Sequence, residues 1–247
     1  MHSAPFGRHI RIPFLDRIIP KLLIDKYRGL FSIQSNNSTR IFEYPWAFFS
    51  MPSKNNQTIL EIGGGLSGFQ FVLDKSGHQV VNVDPGLEAK GVGFPCTEES
   101  VAYLNRCFNT NVTLINKTID QANLKNNNFD CAFSISVIEH LPLEDRVNVM
   151  RNVYRSLRPG GIFIITVDLF PELFPFTDRL ENMWGSNINI MDLAKIAPFE
   201  LVEGVTSELF GFADFNAEHI LNCREVYLCG KYPAFAQCFI LRKPVEI

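Results

Sequence analysis

Two adjacent residues, Glu139 and His140, carry the side chains that general acid–base chemistry needs. They directly follow residues 129–137, an apolar stretch that predicts a buried β-strand. An imidazole has a pKa of about 6.5, so at neutral pH it can accept a proton from a hydroxyl group in contact with it. The structural alternative is that His140 caps the next helix or anchors the loop that leads to Pro142.

A run of glycines follows a short apolar stretch near residue 60. The sequence T-I-L-E-I-G-G-G-L-S-G, residues 58–68, predicts a buried strand, a turn made of glycine and the start of a helix. Glycine permits close backbone approach, and the first N–H groups of a helix are free to bind an electron-rich ligand. We therefore expect a polar, nucleotide-like ligand against Gly63, Gly64 and Gly65, although such a turn can also be purely structural.

An acidic residue, Asp84, closes the next predicted strand. It lies about 20 residues after Gly63, a separation at which an acid meets the ribose hydroxyls of a bound nucleoside. One carboxylate can accept two hydroxyl hydrogen bonds, which suits a cis-diol. The structural alternative is that Asp84 caps the turn before Pro85.

Strands and helices alternate along the chain, which predicts a doubly wound α/β sheet within residues 57–247. Predicted strands cover residues 59–62, 79–83, 112–115, 129–137, 161–167, 199–205 and 235–241. Predicted helices begin at Gly68 or cover residues 98–108, 143–157 and 191–196. Ligands bind at the carboxyl ends of the strands in such sheets, and this is where Asp84 and His140 would lie.

Residues 168–190 interrupt this alternation at the carboxyl end of a predicted strand. The segment is rich in aromatic residues, so we expect it to form a wall of the substrate site that includes Asp168, Phe170 and Trp184. Asp168 is also a candidate base, and so is His219, which lies farther along the chain.

Residues 1–56 precede the first strand and are predicted to form a separate helical and aromatic segment. Apolar residues at helical spacing predict a helix over residues 15–28, and residues 40–49 concentrate large apolar side chains. Two roles fit this composition. The segment is either a lid that places Tyr44 and Trp46 near the substrate, or a cover packed on one edge of the sheet.

Composition argues against several other classes of protein. The chain has 247 residues, 46% of them hydrophobic, and a net charge of −3, which fits a large core but not a basic surface for nucleic acid. No apolar run has the roughly 18 residues that a membrane span needs, and no secretory signal is evident. None of the six cysteines forms a Cys-x-x-Cys pair, so we expect reduced core thiols, no metal site and a cytoplasmic protein.

Four places in the chain together resemble the class I S-adenosylmethionine (SAM) dependent methyltransferases of the Rossmann-like, small-molecule type. They are E-I-G-G-G-L-S-G at residues 61–68, V-N-V-D-P at 81–85, F-D-C-A-F-S-I-S-V-I-E-H-L at 129–141 and L-R-P-G-G at 157–161. The resemblance covers residues 58–167. It implies a seven-stranded, mostly parallel sheet whose antiparallel last strand, residues 235–241, lies between the fifth and sixth strands.

The resemblance also implies how the cofactor, SAM, and its product S-adenosylhomocysteine are bound. Asp84 would take the ribose hydroxyls, and the backbone at Ile135 and Ser136 would face the methionine amino group. The methionine part would be held by Glu61, Gly63, Gly64 and Gly65. Thr118 and Ile119 fall where the family contacts adenine, with Asp120 as an alternative partner. Some small-molecule members use a Glu-His pair such as Glu139-His140 at the acceptor.

The function implied is methyl transfer from SAM to a small-molecule acceptor, to a hydroxyl oxygen in the first instance. A small amine is an alternative acceptor, and a SAM-binding subunit without catalysis is another possibility. A glycine turn followed by an acid also fits an NAD(P)-dependent oxidoreductase. The L-R-P-G-G sequence and the Glu139-His140 pair fit a methyltransferase better, and no dehydrogenase Tyr-x-x-x-Lys sequence occurs in the relevant region.

Overall fold

The computed structural model describes residues 28–31, 38–86, 96–222 and 234–245. Within these ranges the strands are β1 Thr58–Ile62, β2 Gln79–Val83, β3 Thr113–Ile115, β4 Phe129–Ile135, β5 Leu157–Leu169, β6 Glu200–Glu203 and β7 Phe235–Arg242. The helices are α1 Arg28–Phe31, α2 Ser38–Ser50, α3 Gly68–Lys75, α4 Glu98–Phe108, α5 Leu143–Ser156, α6 Ile190–Ala194 and α7 Ala217–Asn222. Single 3₁₀ turns span Ile138–His140 and Thr206–Glu208.

The seven strands form one sheet in the order β3-β2-β1-β4-β5-β7-β6. Strands β1 to β5 run parallel to one another, whereas β7 is antiparallel to both β5 and β6. The predicted fold class is confirmed, and so is the position of the last strand between the fifth and sixth. Because β1, β4 and β5 are central and buried on both faces, their sequences are nearly continuous apolar runs.

Strand β5 is longer than residues 161–167, the range that the sequence predicted. It begins at Leu157, which pairs with Phe129, and the ladder then shifts register before Ile162 pairs with Cys131. A side chain at Gly161 would meet the carbonyl of Arg158, so the R-P-G-G sequence forms an irregularity inside the strand. Helix α5, predicted over residues 143–157, ends at Ser156 and is followed at once by this strand.

Two hydrophobic cores lie on opposite faces of the sheet. One contains Leu60 and Ile62 of β1 and packs against α5 and α6, and the other contains Ile59 of the same strand. Neighbouring strand residues point to opposite faces, which separates the two clusters. Helix α2 packs in the second core through Tyr44 and Trp46, next to Phe69 of α3. The predicted helix over residues 15–28 lies outside the described residues except for Arg28, which begins α1.

The cysteines correct one expectation. The four in the described ranges are free thiols, and Cys96 and Cys131 are buried. Cys107, however, is exposed on α4, so the prediction of a core position is wrong there. It follows Arg106 on a helix whose buried face is formed by Val101 and Leu104. No helix in the described ranges combines the length and apolar character needed to cross a membrane.

Candidate active site

The glycine turn between β1 and α3 has no room for side chains. A Cβ atom at Gly63 would lie 2.6 Å from Cγ1 of Val137, and one at Gly64 would lie 2.7 Å from Cδ of Glu61. Gly63 also has a φ of +67°, in the region that favours glycine. The turn is therefore fixed closely against the exit of β4 and against the side chain of Glu61.

Two buried amide side chains hold this turn, and the sequence analysis did not identify them. Asn82 Oδ1 accepts a hydrogen bond from the N–H of Gly64 at 3.1 Å, and Asn82 Nδ2 donates to the carbonyl of Gly65 at 3.2 Å. Gln70 Nε2 donates to the same carbonyl at 3.0 Å. The sequence feature that could have indicated this role is Asn82, a polar residue inside the otherwise valine-rich strand Gln79–Val83.

Asp84 lies at the carboxyl end of β2, beside the glycine turn. Its Oδ2 accepts from the N–H of Gly65 at 2.8 Å, and its Oδ1 accepts from the N–H of Gly86 at 2.7 Å. The turn-capping alternative is thus present in the structure. Each carboxylate oxygen has a second lone pair, so the same side chain can still accept ligand hydroxyl groups.

Glu61 is buried beneath the turn. Its Oε1 accepts from Ser67 Oγ at 3.3 Å, whereas Oε2 has no hydrogen-bond partner among the described residues. Burial raises the pKa of Glu61 to about 8, against the lowering effect of the Ser67 hydrogen bond, and the charge of Asp84 adds to the rise. A buried acid with a free oxygen is a site for a hydrogen-bond donor or a cation.

The residues predicted at the adenine group follow β3. Ile119 is buried in the core, and the hydroxyl of Thr118 is buried without a partner in the part of the chain that the structure describes. Asp120, the alternative partner, is exposed. The N–H of Gln121 donates to the carbonyl of Thr118 at 3.1 Å, so these residues form a tight turn at the edge of the sheet.

Ile135 and Ser136 are the last residue of β4 and the first after it. Ser136 has a φ of +46°, and its N–H donates to the carbonyl of Thr166 at 3.0 Å. Its hydroxyl donates to Glu43 Oε1 at 2.8 Å. Thr166 Oγ1 donates to the same oxygen at 2.6 Å, and Arg40 pairs with Oε2 of Glu43. The sequence analysis did not identify this cluster, because its members are far apart in the chain.

His140 lies in the 3₁₀ turn that follows β4 and is partly buried. Its Nδ1 is hydrogen-bonded with the carbonyl oxygen of Trp184. A carbonyl oxygen can only accept, so Nδ1 carries the proton and Nε2 of the neutral ring is a proton acceptor. The structure therefore brings His140 and Trp184 of the predicted site together.

Glu139, the residue before His140, is buried. Its Oε1 accepts from the N–H of Asp168 at 2.9 Å, which ties the exit of β4 to the end of β5. Burial raises the pKa of Glu139 to about 7; backbone hydrogen bonds and the charge of Arg40 lower it, whereas the charge of Glu43 raises it. Its Oε2 has no partner within the described ranges, so one oxygen is still available.

Residues 168–190 pass across this end of the sheet, as the position of the predicted wall requires. Asp168 and Phe170 are buried, whereas Trp184 is partly buried. Asn187 closes the loop by bonding to the N–H and the carbonyl of Phe170 at 2.6 and 2.9 Å. His219, the remaining candidate base, is exposed on α7.

Tyr44 and Trp46 are both buried in the core. The ring of Tyr44 stacks on Phe69 with centroids 5.3 Å apart. Burial raises the pKa of Tyr44 to about 12, against the lowering effect of Arg40, and its hydroxyl is hydrogen-bonded with Ser67. Tyr44 therefore contacts the start of α3 directly behind the glycine turn, whereas Trp46 lies deeper in the same core.

Comparison with known proteins identifies this arrangement. A sequence model described as a methyltransferase domain matches residues 60–165. Residues 60–165 thus resemble a methyltransferase domain, and the sheet that contains them has the class I fold. This confirms the family predicted from the four sequence motifs, and SAM is the cofactor of that family.

One curated relative and two solved structures are similar to this chain. Phosphoethanolamine N-methyltransferase of Plasmodium falciparum is 30% identical over 117 residues, which cover 45% of this chain and 39% of the relative. The match thus spans about two fifths of the relative's length.

The two structures share the fold. The 1,6-didemethyltoxoflavin-N1-methyltransferase of Burkholderia thailandensis, solved with its substrate and S-adenosylhomocysteine, has a TM-score of 0.59 at 15% identity and covers 94% of this chain and 90% of its own. The PH0226 protein of Pyrococcus horikoshii has a TM-score of 0.58 at 17% identity, and the match covers 88% of this chain and 98% of that protein.

The residues around the glycine turn fit SAM. Gly63 and Gly64 of the turn are partly exposed, Asp84 retains a lone pair for a ligand hydroxyl group, and Glu61 Oε2 lacks a partner among the described residues. Glu61 and the turn would hold the methionine part, Asp84 the ribose, and the Thr118 turn the adenine. The SAM-contact assignments remain predictions from sequence that agree with these positions.

Proposed function

We propose that this protein transfers a methyl group from SAM to a hydroxyl oxygen of a small-molecule acceptor, with His140 as the base. The observation that supports this best is the bond between His140 Nδ1 and the Trp184 carbonyl, because it leaves Nε2 as a proton acceptor. Bound SAM supplies an electrophilic methyl group. As the oxygen–carbon bond forms, the methyl–sulfur bond would break with S-adenosylhomocysteine as the leaving group, and His140 Nε2 would receive the proton of the attacking hydroxyl.

The acceptor is proposed to lie between His140 and the wall formed by residues 168–190. Trp184 contacts His140 directly, so the wall would align the acceptor as well as orient the base. The free oxygen of Glu139 is a further candidate contact for a hydroxyl or ammonium group. The acidic balance of the chain favours a small molecule over nucleic acid, and a cytoplasmic setting stays a prediction.

A small amine is the second candidate acceptor. Both the relative from Plasmodium falciparum and the enzyme from Burkholderia thailandensis are named as N-methyltransferases. An ammonium group must lose a proton before its nitrogen can attack, so His140 would have the same role. If the amine is already neutral when it binds, His140 would contribute little.

Turnover by the purified protein tests the proposal. The protein would be incubated with SAM and matched acceptors that differ only in a hydroxyl or an amino group, including ethanolamine and phosphoethanolamine. Formation of S-adenosylhomocysteine and a product heavier by one methylene identify the acceptor atom. If the protein binds SAM but no acceptor is methylated, with or without added protein fractions, a non-catalytic subunit is favoured. If the protein binds NADH and does not bind SAM, the proposal is ruled out.

The domain division at residue 56 and the lid role of residues 1–56 also stay proposals. Helix α2 is packed into the core, which supports the cover role for its own residues. A lid would be digested more slowly by protease when S-adenosylhomocysteine is present. Equal digestion rates around Tyr44 with and without ligand would remove the lid proposal.

Replacement of Asp84 by alanine is expected to weaken S-adenosylhomocysteine binding by about 1–3 kcal/mol, because hydrogen bonds to the ribose and to the N–H of Gly65 are both lost. Calorimetric titration measures the change. The matched control is Asp130→Ala, which removes a carboxylate bonded at 2.8 Å to the N–H of Thr58 at the opposite, amino-terminal end of the strands. Equal affinities of wild type and a folded Asp84→Ala variant would exclude Asp84 from the site.

A further inference from the structure

The side chain of Glu43 is fully buried in a helix that meets the sheet through apolar residues. Tyr44, Trp46 and Ala47 of the same helix belong to the hydrophobic core. An ionised carboxylate in such a place is costly unless hydrogen-bonded or charged groups compensate it. The partners of Glu43 therefore indicate what this residue contributes.

These partners come from three elements. Glu43 Oε1 accepts from Ser136 Oγ at 2.8 Å and from Thr166 Oγ1 at 2.6 Å. Its other oxygen pairs with Arg40, one turn earlier in α2. One carboxylate thus joins α2 to the exit of β4 and to β5, at the end of the sheet where ligands bind.

Stability alone is a weak explanation for such a buried ion pair, because apolar residues of similar volume often stabilise a protein as well. The bonds instead fix one turn. The N–H of Ser136 donates to the carbonyl of Thr166 at 3.0 Å, and Thr166 Oγ1 is 3.2 Å from the same nitrogen. Because Glu43 accepts from its hydroxyl, both the N–H and the hydroxyl of Ser136 are held by hydrogen bonds. The φ of Ser136 is +46°, a conformation that is uncommon for residues other than glycine.

The turn at Ser136 lies next to the glycine turn. Val137 follows it and packs against Gly63, where an added Cβ atom would be 2.6 Å from Cγ1 of Val137. Any shift of Ser136 would therefore move Val137 with respect to the backbone that is expected to hold the methionine part of SAM. This contact links Glu43 to the glycine turn through Ser136 and Val137.

We propose that Glu43 is a positioning residue of the cofactor site, which holds the Ser136 turn in the conformation that binds the methionine part of SAM. Helix α2 is then a built-in part of that site. The inference rests on the proposed function, because it assumes that the site binds SAM. Glu43 acts through Ser136 and does not itself touch the reacting atoms.

The test measures S-adenosylhomocysteine affinity by calorimetry for wild type, Glu43→Gln and Ser136→Ala. Glu43→Gln is expected to weaken binding by about tenfold, since a charged hydrogen-bonding group is lost. Ser136→Ala removes only the hydroxyl and should weaken binding by about threefold or more. The double variant should bind S-adenosylhomocysteine no more weakly than Glu43→Gln alone, because both substitutions disrupt the same hydrogen bond between Glu43 and Ser136.

The matched control is Asp130→Asn. This carboxylate also pairs with an arginine, Arg158, and also joins two strands, but it does so at the opposite, amino-terminal end of the strands. Both carboxylate variants should lower the melting temperature, whereas only Glu43→Gln should raise the KM for SAM and the dissociation constant.

Affinities of Glu43→Gln and Ser136→Ala within twofold of wild type overturn the inference. If Glu43→Gln does not fold, the affinities of Ser136→Ala and Thr166→Val test the inference with the same twofold limit. Failure of the wild type itself to bind S-adenosylhomocysteine refutes the proposed function and is a distinct outcome.

Discussion

Replacing His140 with alanine is expected to lower kcat by about 10²- to 10⁴-fold on the true hydroxyl acceptor, the range typical for loss of a general base. Affinity for S-adenosylhomocysteine should stay within about twofold of wild type, because His140 Nε2 faces the acceptor in the proposed mechanism. The measurement is steady-state kinetics at saturating SAM, together with calorimetric titration of the product.

Two variants separate catalysis from structure. His140→Asn can still donate a hydrogen bond to the Trp184 carbonyl, but an amide is not a base, so it should be as inactive as His140→Ala. His78→Asn is the matched control. This buried histidine accepts from the N–H of Gln57 at 3.3 Å, near the start of β2, and its loss should affect stability only. Wild-type kcat in His140→Asn would make His140 an anchor for Trp184 and nothing more.

Elements with strong local signals were predicted well. Helix α4 has the predicted bounds, and it begins at a cap in which the N–H of Ser100 donates to Thr97 Oγ1 at 3.2 Å. Strand β2 also has the predicted bounds. In both cases the residues that determine where the element begins and ends lie within a few positions of one another. The local sequence pattern is therefore sufficient to predict these bounds.

Contacts between distant residues were not predictable in this way. Glu43 binds residues 93 and 123 positions away, and nothing in its own surroundings distinguishes it from a solvated helix residue. His140 and Trp184 are 44 positions apart. The sequence placed both in the site, since both lie near carboxyl ends of strands, but their hydrogen bond depends on how residues 168–190 fold back across the sheet.

The substitution Glu61→Gln is expected to stabilise the ligand-free protein at pH 8 while weakening its binding of S-adenosylhomocysteine. Burial raises the pKa of Glu61 to about 8, so the folded protein keeps this group protonated at pH values where the unfolded chain has already ionised it. The unfolded group has a pKa of about 4.5. Stability from this group is therefore fully present below pH 4.5 and is lost as the pH rises towards 8.

The pKa difference corresponds to a loss of at most about 5 kcal/mol between these limits. Glutamine has the same shape and no charge, so Glu61→Gln should remove most of this pH dependence and unfold at higher denaturant concentration at pH 8. At pH 4.5 the two proteins should be nearly equally stable. Burial also raises the pKa of Glu139, to about 7. Both proteins should therefore keep a smaller loss of stability with rising pH that comes from Glu139.

Ligand binding should respond in the opposite direction. An ionised Glu61 can bind the ammonium group of the methionine part, whereas glutamine offers only a neutral carbonyl, so affinity should fall by about tenfold or more. Wild-type affinity should rise between pH 6 and 8 as binding draws the proton from Glu61, and the variant should show a flatter profile. Glu200→Gln, at an exposed pair with Arg242, controls for loss of a carboxylate. A Glu61→Gln protein that is no more stable at pH 8, yet binds as wild type does, would mean that Glu61 is charged in the folded state and does not contact the cofactor.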